Sequence, residues 1–82
     1  MHIKYSEEES RTVIYPKVKQ DSNFNPLHNA SAVITEHMNS VTILHRLQND
    51  EGRWQMVQFS AMNKQELQQY IDELQKICNR IG

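Results

Sequence analysis

The apolar positions of this chain fall into two kinds of run. In "NKQELQQYIDELQKICNRIG", Leu67, Tyr70, Ile71, Leu74, Ile77, Cys78 and Ile81 recur at steps of three and four. That spacing lines them up on one stripe of a helix. Asn63 suits the N-cap, and Glu66 three residues on completes a capping box, since each side chain satisfies a backbone N–H at the helix start. Glu66 sits near the positive end of the helix dipole, and Lys76 and Arg80 near the negative end. Asp72 and Lys76 form an i,i+4 pair, and Gly82 stands where a C-terminal cap favours glycine. The spacing predicts a helix over 63–81.

Upstream the pattern shortens to strand length. "VTILHRLQ" (41–48) and "RWQMVQF" (53–59) flank "NDEG", and Asn, Asp and Gly favour turns, so a hairpin with a four-residue loop at 49–52 is expected. "SAVITEH" (31–37) joins it through the tight turn "HMNS". "RTVIYPKV" (11–18) is rich in strand formers, and Pro16, which donates nothing to a ladder, suggests an edge. "HIKY" (2–5) reads as a further short strand with "SEEES" as the bend; residues 1–10 read as a mobile end and 20–30 as the long loop. The expected fold is α+β, a single domain over 1–82: a small antiparallel sheet of three to five strands with one C-terminal amphipathic helix packed on one face.

Directly opposed strand residues share a face. With residue 48 opposite 53 and 36 opposite 41, one face collects Ala32, Ile34, Val41, Ile43, Leu47, Trp54 and Met56. The other collects Val33, Leu44, Val57 and Phe59, mixed with Thr35, Thr42, Arg46 and Gln55. The first is the better seat for the helix. One helix cannot cover both sides of a sheet, so Val33, Leu44, Val57 and Phe59 form a candidate protein interface, with Phe59 as its anchor. Three covers are open: the N-terminal segment folded back with Ile3, Tyr5, Val13 and Tyr15, a second copy of the chain, or a different protein. A slip of one residue in register would exchange the faces.

Composition narrows the function classes. A chain of 82 residues buries only roughly 60% of its unfolded surface, and at 38% hydrophobic residues its core is small or shared. Nine basic and ten acidic residues leave a net charge of −1, so there is no overall basic excess to attract phosphates. One cysteine excludes an internal disulfide framework and a cysteine-rich zinc site. No apolar run approaches the roughly 20 residues that span a bilayer, and "MHIKYSEEES" does not resemble a secretory leader; the expected location is cytoplasmic, away from membranes.

Candidate chemistry is sparse. His37 and His45 fall on opposite faces of neighbouring strands, and His2 and His28 show no ligand spacing, whereas zinc needs three or four convergent ligands. Cys78 lies on the apolar stripe with no base implied beside it. Glu7, Glu8 and Glu9 form an acidic run of the solvated kind. Two glycines, Gly52 and Gly82, provide no phosphate-cradling loop. No catalytic residue, metal or cofactor is expected. The reading that follows is a non-enzymatic protein-interaction module, a regulator, inhibitor or accessory subunit, working as a homodimer or on a protein partner. The alternative is a single-stranded nucleic-acid-binding domain using the rings of Phe59, Tyr15 and Tyr5 with Arg46, Arg53, Lys17 and Lys19.

Overall fold

The computed structural model describes residues 1–16, 30–49 and 51–82. Five strands, β1 (His2–Ser6), β2 (Arg11–Tyr15), β3 (Ala30–Glu36), β4 (Ser40–Gln48) and β5 (Trp54–Asn63), precede one helix, α1 (Lys64–Arg80). The strands form a single antiparallel sheet in sequence order, β1-β2-β3-β4-β5. This is the expected small α+β architecture with all five strands formed. β2 is not an edge: it lies between β1 and β3, and Pro16 falls just past its end, where a missing N–H costs no ladder bond. The expected loop over 20–29 lies outside the described residues.

Local chemistry explains the turns. Between β1 and β2, Ser10 takes a left-handed φ of 50° and donates its N–H to Glu7 O, while Ser6 Oγ accepts from Glu9 N. Between β4 and β5, Asn49 Oδ1 accepts from the N–H groups of Glu51 and Arg53, and Gln48 Nε2 donates to Gly52 O. Gly52 sits at φ 83°, a conformation that costs glycine little. The last pair of the hairpin is Gln48 with Trp54, so the loop runs over 49–53, one residue longer than "NDEG".

That extra residue shifts the register at the start of β5. A β-bulge then shifts it again between His45 and Arg46: Arg46 opposes Met56, His45 opposes Gln58, and Val57 has no partner. The two shifts return the rest of β5 to its original phase. Residues 32–36 and 41–45 pair as the sequence implies, Val33 with Leu44 and Ile34 with Ile43. The first face therefore carries Ile3, Ile14, Ala32, Ile34, Val41, Ile43, Leu47 and Met62. Trp54 and Met56 stand on the second face, opposite to the expectation, and Gln55 moves to the first.

The core is slight. Among the described residues, Ile43 is the buried apolar side chain and Ser31 the buried polar one. The N-terminal hairpin widens the sheet instead of folding over it: Ile3 and Tyr5 sit on the first face, Val13 and Tyr15 on the second, and Ile3 and Tyr5 are exposed. α1 begins as its sequence dictates. Asn63 Oδ1 accepts from Glu66 N, and Glu66 Oε1 accepts from Asn63 N. At the other end the C-cap is Ile81, whose N–H donates to Ile77 O, one residue before Gly82. Lys76 Nζ bonds Glu73 Oε1 at 3.0 Å, and Asp72 instead accepts from Gln68 Nε2.

The helix departs from the expected packing. It meets the sheet only where it leaves β5, with Leu67 near Val41 at the β3–β4 turn, and none of its residues is buried.

Candidate functional site

Two surfaces carry apolar side chains that the other described residues leave exposed. One is the stripe of α1. Tyr70 is 41% exposed, Ile71 48%, Leu74 48%, Ile77 44% and Ile81 72%. Cys78 lies among them, exposed and unpaired with another cysteine. The rest of the helix surface is Gln, Asn, Asp, Glu, Lys and Arg, so the apolar seam is sharply bounded. The periodicity showed this stripe; what it could not show is that the sheet leaves it uncovered.

The other is the second sheet face. Val13, Val33, Leu44 and Phe59 make one continuous cross-strand row from β2 to β5. Three of the four expected interface residues, Val33, Leu44 and Phe59, are thus neighbours. Val57 is not among them in register, because the bulge leaves it unpaired. Phe59 is 58% exposed, while Val33 and Leu44 are half-buried.

A second group lies on the same face, nearer the β4–β5 loop. Arg46 Nε donates to Ser31 Oγ at 2.8 Å, and its guanidinium sits 4.6 Å from the centre of the Trp54 ring. The Trp54 and Tyr15 ring centroids are 6.2 Å apart, and Lys4 Nζ lies 5.8 Å from the Tyr15 ring. His2 completes the chain of contacts, 5.9 Å from Tyr15. Ser31 is small, and the larger side chains of β2, β4 and β5 meet above it, which explains its burial. Sequence reasoning missed this cluster because it placed Trp54 on the other face.

The register also sorts charge. The strand residues on the second face include Lys4, Arg11 and Arg46 and no acid; those on the first include Glu36 and no Lys or Arg. Arg11 pairs with Glu9 of the β1–β2 turn at 3.4 Å. The guanidinium of Arg46 is fixed by Ser31 and Trp54, and among the described residues its Nη groups bond to nothing.

A groove of about 350 Å³ lies between the β3–β4 turn and the start of α1, lined by Glu36, His37, Val41, Lys64 and Leu67 among others. Its polar groups are exposed, and His37 Nε2 is engaged with Thr42 Oγ1 at 3.3 Å. His37 and His45 do stand on opposite faces. No three His, Cys, Asp or Glu side chains among the described residues converge to hold a metal ion. Lys76 has a pKa raised above the usual lysine value, through its hydrogen bond to Glu73 and then the charge of that carboxylate. No helix of the described residues is long and apolar enough to cross a membrane. Comparison with known proteins found no matching family model, no matching curated protein and no matching solved structure.

Proposed function

We propose that this chain is a non-enzymatic interaction module that works as a homodimer joined through α1. Such a dimer would present its sheet faces as a regulator, inhibitor or accessory subunit of a larger assembly. The observation that carries the reading is the exposed stripe of α1 beside a core with, among the described residues, one buried apolar side chain. Covering five half-exposed apolar side chains is worth on the order of 5 kcal/mol. A small domain's entire stability is about that size. A surface so large relative to the core is best explained by a partner that is always at hand, and a second copy is such a partner.

The seam itself favours self-pairing. Leu67, Leu74 and Ile81 fall at one heptad position, and Tyr70 and Ile77 at the complementary one. In an antiparallel pair Leu67 packs beside Ile77 of the second copy, and Tyr70 beside Leu74. Glu66 then faces Arg80 of the other helix twice over, and the helix dipoles oppose. The Glu73 carboxylates meet at the two-fold axis, where each is already held by Lys76 of its own chain. A parallel pair offers no such charge match.

Light scattering across a concentration series tests this. The expected mass is twice 9.7 kDa, and Leu74→Asp is expected to halve it. The arrangement has its own readout: in a Cys78→Ser background, Ile71→Cys lies at the antiparallel two-fold axis and is expected to form a disulfide-linked dimer under mild oxidation. A wild-type chain that stays monomeric at about 100 μM, where even a weak Kd near 10 μM would show, sinks the reading.

A further inference from the structure

We infer that the second sheet face binds single-stranded nucleic acid, with Phe59 and the Trp54–Tyr15 pair as stacking platforms and Lys4 and Arg46 as phosphate contacts. The inference rests on the reading that the proposed dimer, joined through α1, leaves this face free. α1 begins beside Val41 and Met62, both residues of the first face, so it does not obstruct the second.

The overall charge of −1 hides the feature that matters. The fold moves three cations and no strand acid onto one face, and gives that face Tyr15, Trp54 and Phe59. Single strands are bound by this combination: aromatic rings on which successive bases stack, beside cations that track the backbone. Phe59 is open to solvent, and Trp54 lies five residues along the same strand, about 15 Å away at strand rise. Two platforms at that separation suit a short unstacked segment. A duplex has no free base faces to offer, and among the described residues no helix projects from this face to enter a groove. A peptide joining as an extra strand would use a sheet edge and would leave these rings unused. Arg46 is preorganised, since Ser31 and Trp54 fix its guanidinium before any ligand arrives. Arg11 contributes less, because Glu9 already engages it.

Trp54 is the only tryptophan of the chain, so its fluorescence reports on the site directly. The experiment titrates the full chain with a short oligothymidylate at low salt, then with the matching duplex and with heparin, a polyanion without bases. The single strand is expected to quench Trp54 saturably, and the duplex and heparin to do so far less. Phe59→Ala is expected to weaken binding about tenfold, since one stacking platform is lost. With two unpaired cations the log–log salt slope should be about −1.4, falling to about −0.7 in Lys4→Gln. Absence of quenching by a folded chain overturns the inference, as does equal quenching by heparin or an unchanged affinity in Phe59→Ala. Quenching by a chain that light scattering finds monomeric overturns the dimer alone. A dimer that ignores oligothymidylate overturns this inference alone.

Discussion

Ile43 and Ser31 carry more of this fold than their size suggests, because they are the two buried side chains among the described residues. Ile43→Ala removes the centre of the first face and should cost about 2–5 kcal/mol in denaturant unfolding. Ser31→Ala leaves the Arg46 Nε without its partner in a half-buried setting, at about 1–3 kcal/mol. Asn63→Ala removes the side-chain half of the capping box, the bond accepted from Glu66 N, and should cost about 1 kcal/mol, seen as lost helical circular dichroism at intermediate denaturant. Lys76 gives the pH arm. Its folded-state pKa is raised, so the stabilisation from Glu73 is complete below the usual lysine pKa and is lost as pH rises through the raised value. The group is fully exposed, so the expected effect is a small alkaline loss of helix stability that Lys76→Met abolishes. The cap was readable from Asn63 and Glu66 alone, since it is set by residues three apart. The Arg46–Ser31 bond was not: its partners are separated by fifteen positions and meet only through the pairing of β3 with β4.

The hairpin of β4 and β5 shows where pattern reading stops. Both strands and their turn were legible from β-rich runs around Asn, Asp and Gly. The phase between them was not. A loop of five residues and one of four differ by a hydrogen bond, made here by Asn49 N to Arg53 O, yet they exchange the faces of everything that follows. The bulge at Val57 then reverses the exchange, so Phe59 lands where the simple register put it while Trp54 and Met56 do not. Deleting Val57 removes the unpaired residue and lets β5 run as a regular strand, with Met56 still opposite Arg46 and Gln58 still opposite His45. The expected result is that the Arg46–Trp54 contact is kept and Trp54 emission is unchanged. A changed emission in the folded deletion variant would mean that the bulge itself positions the Trp54 ring.

Taken as a molecule, the described residues form a sheet whose second face carries the exposed Phe59 and a helix that touches the sheet at one end. Stability that depends on self-association depends on concentration. For the proposed dimer, Tm should rise with protein concentration in the wild type and be both lower and concentration-independent in Leu74→Asp; differential scanning calorimetry at several concentrations decides it. The open edges matter too. β5 is ten residues long, carries no charged residue and has no neighbour on its outer side within the sheet. Natural edges of this kind are usually guarded by Lys, Pro or a bulge. The bulge at Val57 is the guard present here.

The sequence by itself determined the elements: five strand-length runs, a capped amphipathic helix, and the identity of the side chains on its stripe. These follow from periodicity and from contacts between residues a few positions apart, which a linear pattern records. It also placed Val33 beside Leu44, because the turn joining β3 to β4 is short and leaves one register. Only the tertiary structure decided that the helix meets the sheet at one end alone and leaves most of its stripe exposed. Only it brought Tyr15, Arg46 and Trp54 onto one face, and gathered the cations there while a balanced composition concealed them. Those outcomes depend on single-residue shifts in strand pairing and on which surfaces find a partner, and both are properties of the assembled sheet.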